Sequence, residues 1–105
     1  MNTKASTLDE LHMAVLAWAD ERDLIKEENS PRQMLKVIEE LGELTGAMAK
    51  QRESEMVDAI GDVMVTILIL AAQLGFNVTE CLGVAYNEIA ERSGKTVDGV
   101  FIKDE

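Results

Sequence analysis

Cysteine is nearly absent from this chain. The one present, Cys81, cannot form an intrachain disulfide, and no charged, apolar, small-residue leader opens the sequence, so a reducing, cytoplasmic setting is expected. Long apolar runs are lacking too. The longest, Val63 to Ala72 with Thr66 inside it, is about half of the roughly 20 residues that cross a bilayer, and it reads as a buried helix. Basic residues are few: ten Lys and Arg stand against twenty Asp and Glu, a net charge of −10. That charge repels both the phosphate backbone of nucleic acids and anionic membrane surfaces, which excludes a nucleic-acid polymer or a membrane as the expected partner. No glycine-rich GxxxxGK[ST] loop is present, so P-loop nucleotide chemistry is excluded as well.

What is present is a chain of 105 residues, 47% hydrophobic, enough for one domain whose small size limits how much surface it buries alone. With one proline and no repeat, capping residues and glycines divide it. Thr7 and Glu10 form a capping-box pattern ahead of Leu8, Leu11, Val15, Leu16 and Ala19, predicting a first helix over 8–21. The charged stretch 23–29 ends at Ser30-Pro31, a cap followed by a first-turn proline, and a second helix is predicted to about Lys50. Ser54 caps a third, which Gly75 ends. Asn77 and Glu80 open a fourth, predicted over 78–93 and stopped by Gly94. The sequence thus predicts an all-α four-helix bundle in one domain: an N-terminal helix and linker (1–30), a helical core (31–94) and an extended tail (95–105) packed on its own or a neighbouring subunit. The third helix is apolar on nearly all sides from Val63 onward, which calls for a homo-oligomer.

Two helices carry carboxylates. At about 100° per residue, Glu39, Glu40 and Glu43 share one arc of the second helix, although Leu35, Ile38, Leu41 and Leu44 mark it as a core helix. Taken alone, such a string is better explained by a solvated acidic stripe. Glu55, Asp58 and Asp62 likewise share one face of the third helix, and Asp62 leads straight into the buried run. A carboxylate there either neutralises or finds a cation. Two such faces make a hard-oxygen site suited to Mg²⁺ or Mn²⁺. A ferritin-like di-iron centre needs Glu-x-x-His pairs, and the single histidine, His12, lies outside both clusters.

The string EELGEL, followed one helix later by DAIGDVMV, resembles the MazG-type all-α nucleoside triphosphate pyrophosphohydrolases, with their EExxE and ExxD motifs. AYNEIAERSGKTVDGVF is similar to the C-terminal part of short phage and bacterial members, so the resemblance spans roughly Pro31 to the end. It implies a MazG-like bundle, assembled as a homodimer or homotetramer, that binds Mg²⁺ and converts a (d)NTP and water to a (d)NMP and pyrophosphate. Glu40, Glu43, Asp58 and Asp62 are the implied metal ligands. Glu39, Glu40, Glu43 and Asp62 are the implied catalytic residues, and Glu55 an outer carboxylate. The sequence departs from the family at Ala59, which stands where ExxD has its glutamate; Asp58 lies one residue earlier, and Glu55 with Asp58 spells a literal ExxD one turn upstream. Asn87 matches a family asparagine, and Arg92 and Lys95 are expected phosphate or sugar contacts, though cations there also complement a helix C-terminus. Lys36 is expected to pair with Glu40, Trp18 to lie in the core or stack on a base, and the methionines to fill the core. Two other functions fit the same residues: a non-catalytic helical oligomerisation or regulatory module, and a related dUTPase or phosphoribosyl-ATP pyrophosphatase.

Overall fold

The computed structural model describes residues 6–105. Four helices, α1 (Leu8–Glu21), α2 (Ser30–Ala49), α3 (Glu53–Gln73) and α4 (Val78–Ala90), precede a hairpin of β1 (Gly94–Val97) and β2 (Val100–Lys103). The start of α1 follows from its capping box: the Glu10 backbone N–H donates to Thr7 Oγ1 at 3.0 Å, and the Thr7 N–H donates to Glu10 Oε1 at 2.9 Å. Glu10 therefore stays ionised below the usual carboxylate range, because the Thr7 backbone and hydroxyl bonds favour its charged form.

Helices α2 and α3 form the main packed pair, α1 leans on α3, and α4 packs on α3 but not on α2. Gln51, in the left-handed region at φ 55°, reverses the chain between α2 and α3. The buried positions trace one stripe on each helix. On α2 they are Val37 and Ala47, with Gln33, Glu40 and Leu44 half-buried in the same line; on α3 they are Ala59, Thr66, Ile69 and Gln73, with Asp62 in line. Gly75, at φ 82°, ends α3, and the chain turns by 104° into α4, which buries no residue. Among the described residues no single helix is long and apolar enough to cross a membrane.

Several local expectations change. Ser54 lies inside α3, whose cap position is Arg52, and the 3-10 turn Glu27–Asn29 runs directly into α2, leaving Ser30 helical rather than capping. Gly94 does not stop α4 but begins β1, because its missing Cβ lets the Phe101 ring and the Ile102 carbonyl approach. The tail is a hairpin pairing Gly94 with Lys103 and Val97 with Val100 around a two-residue Asp98-Gly99 turn, both residues at positive φ. Trp18 stays about half exposed beneath the Arg22 guanidinium, 4.3 Å from its ring centroid, and Met13, Met34, Met48 and Met64 are exposed rather than core.

No large side chain is fully buried among the described residues, and the radius of gyration is 16.3 Å, against about 13 Å for a compact domain near 100 residues. The apolar faces of α1, α4 and the hairpin account for the exposed Leu8, Leu11, Leu82, Ile89 and Phe101.

Candidate metal and active site

The stripes explain how two helices made mostly for packing come to carry the carboxylates. Glu40 follows Val37 and precedes Leu44 and Ala47 at helical spacing, so it occupies a core position of α2. Asp62 lies between Ala59 and Thr66 on α3 and does the same. Both face the α2–α3 seam, and the negative charge of Asp62 is felt at Glu40. Ala59, where the family motif has glutamate, is almost fully buried and serves the packing.

Glu39, Glu40 and Glu43 each offer an oxygen within 4.8 Å of the others, a spacing that can hold a metal ion. Glu39 is already compensated: Lys36 Nζ donates to its Oε1 at 2.9 Å. The expected pairing of Lys36 with Glu40 therefore gives way to one at i, i+3, because the Glu40 side chain turns into the seam. The Lys36 ammonium is pushed up by that bond and by the charge of Glu39. Glu40 Oε2 is buried with no hydrogen-bond donor. Desolvation raises the Glu40 carboxyl above the usual range, the neighbouring Glu43 and Asp62 carboxylates add to the rise, and the Lys36 ammonium opposes it.

Desolvation also raises Asp62, followed by the charge of Asp58 and that of Glu43. Glu40, Glu43, Asp58 and Asp62 thus form one electrostatic group across the seam. Such a group is short of positive charge, and hard carboxylate oxygens are the donors that Mg²⁺ or Mn²⁺ takes. Glu55 stands apart. Its Oε2 is 3.2 Å from Arg52 Nη1 in a solvent-exposed pair, and it is not among the charges acting on Asp62.

The remaining candidates are not brought to the carboxylates within one chain. Asn87 is exposed on α4, Lys95 lies on β1, and Arg92 Nη2 contacts Glu88 Oε1 at 3.4 Å. His12 is buried on α1, away from this seam, beside an apolar cavity with Leu8, Met64 and Leu82. Sequence reasoning missed the polar residues Gln33 and Gln73 in the buried stripes. The signal was there, since each falls at core spacing in a helix otherwise apolar on that face.

The sequence pattern of the MazG nucleotide pyrophosphohydrolase domain matches residues 29–97. The chain is also 36% identical over 66 residues to an uncharacterized 18.2 kDa protein in the rep-hol intergenic region of Haemophilus phage HP1. That match covers 63% of this chain and 40% of the phage protein. No solved structure matches the chain.

Proposed function

Because this chain belongs to the family of MazG nucleotide pyrophosphohydrolase domains, we propose that it hydrolyses a nucleoside triphosphate to the monophosphate and pyrophosphate in a Mg²⁺-dependent reaction. One observation carries the reading: Glu40, in a core position facing Asp62, has a buried oxygen with no hydrogen-bond partner among the described residues. Keeping an unpaired carboxylate there is costly unless a cation belongs to the site.

Glu40, Glu43, Asp58 and Asp62 would hold the ion, with Mn²⁺ able to replace Mg²⁺. When bound, the metal supplies charge neutralisation on the phosphates and a more acidic water. Glu39, tethered by Lys36, orients the attacking water, and a glutamate of the Glu39/Glu43 pair accepts its proton. The buried seam around Ala59 and Thr66 keeps bulk water from the α2–α3 side of the group. Glu55 is left with an outer, supporting part.

The active form is proposed to be an oligomer of one-domain chains, each with residues 31–94 as its metal-binding core. The chain exposes 8413 Å², whereas a folded monomer of 11.6 kDa exposes about 5,800 Å². Two copies that each covered this excess would form an interface of the obligate size class. Since α4 packs on α3 and not on α2, Asn87, Arg92 and Lys95 would reach the phosphates from a neighbouring copy.

Purified protein with Mg²⁺ and a panel of canonical and modified (d)NTPs tests the reaction, with the product read as pyrophosphate or orthophosphate. Ala59, standing at the family glutamate's position, favours a second reading, a non-catalytic helical module. Absence of pyrophosphate release across the panel would decide for it.

A further inference from the structure

The C-terminal hairpin stands clear of its own helices. Neither β1 nor β2 packs on a helix of the chain, and every strand residue is exposed. Its base is closed by the Asp104 N–H, which donates to Ser93 O at 2.9 Å, and by Ser93 Oγ, which donates to Asp104 Oδ2 at 3.0 Å. A two-stranded hairpin alone in water is marginally stable at best, so this one needs a surface to lie on. Its register sorts the side chains, because cross-strand partners share a face and faces alternate along each strand. Gly94, Thr96, Phe101 and Lys103 lie on one face, and Lys95, Val97, Val100 and Ile102 on the other. Phe101 borders an open cavity of about 500 Å³ with Ile89 and Arg92, so the first face turns toward the end of α4. The second presents Val97, Val100 and Ile102, each about half exposed, with no helix of the chain packed on them.

A matching surface lies open on the helical body. Between α1 and α3 runs a groove of about 330 Å³ whose lining, Leu11, Ala14, Val15, Trp18 and Val65, is apolar throughout. Leu11 and Trp18 are each about half exposed in it. Its surroundings are acidic. Helix α1 carries Asp9, Glu10, Asp20 and Glu21 and no Lys or Arg, and Asp62 and Asp58 lie about one and two turns before Val65 on α3. Arg22, which covers one side of Trp18, is itself drawn to Glu21 at 3.8 Å. The hairpin has the opposite balance, Lys95 and Lys103 against Asp98.

We propose that the hairpin is an exchanged arm: its Val97, Val100 and Ile102 face seats in the α1–α3 groove of a second copy, whose own hairpin seats in return in the groove of the first. The inference rests on the reading of the active form as an oligomer and names the contact that makes it. Reciprocal exchange is the closed, twofold way for a surface to meet a different surface of an identical chain. It removes apolar area from water on the arm and on the groove of both copies, in the places where the single chain leaves it exposed. The charges agree as well, since a basic arm enters an acidic surround. The contact also serves the site. Val65 lies about one turn from Asp62, so a seated arm sets Lys95, on the same face as the valines, beside the neighbour's carboxylates.

The test uses the full chain and two readouts: mass by sedimentation, and the emission of Trp18, the single tryptophan, which lies in the groove. Val100→Asp alters an exposed residue of the arm and Ala14→Arg an exposed residue of the groove. Circular dichroism shows whether each folds, and Ile102→Asp or Leu11→Arg takes the place of one that does not. Each variant alone is expected to raise the dissociation constant by on the order of 100-fold, because it sets an unpaired charge in an apolar contact. Its Trp18 emission should move to longer wavelength as the groove empties. An equimolar mixture of the two should associate again, since one arm and groove are then both unaltered and the other pair brings opposite charges together. Wild-type association by either variant alone, unchanged Trp18 emission on dissociation, or a mixture that stays apart overturns the arm. A wild type that is monomeric at micromolar concentration fails the oligomer reading itself and the arm with it, whereas an oligomeric wild type whose variants also associate fails the arm alone.

Discussion

Lys36 Nζ sits 2.9 Å from Glu39 Oε1, while the next residue, Glu40, turns a buried oxygen into the α2–α3 seam with no donor at all. Two adjacent glutamates thus have opposite electrostatic needs. If Glu40 is a ligand and Glu39 acts on the attacking water and not on the metal, Glu40→Gln, Asp58→Asn and Asp62→Asn should each lower turnover by more than about 100-fold, beyond what supporting residues usually cost. Glu39→Gln should fall within roughly 10- to 100-fold, and Glu55→Gln below that range. Steady-state kinetics with circular dichroism as a folding control checks this order. Glu55 essential and Asp62 dispensable would move the site one turn toward the start of α3.

The raised carboxyls make stability depend on pH and metal together. Glu40 and Asp62 titrate higher in the folded chain than in the unfolded one, so their contribution is fully present below the ordinary carboxylate pKa, about 4, and is lost as pH rises through the raised values. Glu10 runs the opposite way: its depressed pKa gives stability above the ordinary value that is lost on acidification. The difference in melting temperature between wild type and Asp62→Asn isolates the first effect. In chelator the variant should be the more stable at neutral pH, and the gap should shrink toward pH 4. Added Mg²⁺ should raise the melting temperature of wild type and much less that of the variant. Identical curves with and without metal would contradict the site.

Exposed apolar side chains on α1, α4 and the hairpin should be covered by another copy. Light scattering at micromolar concentration is expected to give a dimer or tetramer, and Leu82→Glu, on the exposed face of α4, to weaken it. If Arg92 serves a neighbour's phosphates, Glu40→Gln and Arg92→Ala should each be impaired alone and regain activity when mixed under exchange. A strict monomer with full activity would remove both expectations.

Much of this arrangement was legible in the sequence, and the exceptions have physical causes. The capping box at Thr7 and Glu10 and the helical spacing of apolar residues located α1, because local hydrogen bonds and periodicity suffice for an isolated amphipathic helix. The half-buried place of Asp62 in the α3 stripe was readable from its position before the buried run. The hairpin was also written in the sequence, as Asp98-Gly99 between two valines, but Gly94 after Arg92 and Ser93 carried an equally good helix-stop signal. Trp18 and four methionines looked like core and are exposed, since an apolar stripe does not distinguish a chain's own interior from a face meant for a partner. The amides of Gln33 and Gln73 were passed over because only the fold reveals that their nitrogens donate to the carbonyls of Thr66 and Leu24.

The most direct test of the central claim is pyrophosphate release from (d)NTPs by wild type, Glu40→Gln and Asp62→Asn, followed as Mg²⁺ is titrated in from a chelated start. Wild type should be inactive in chelator and gain activity with a saturable Mg²⁺ dependence, releasing pyrophosphate and a nucleoside monophosphate. Both variants should stay near baseline at Mg²⁺ concentrations that saturate wild type. Metal-independent turnover, orthophosphate as the product, or full activity in both variants would contradict it.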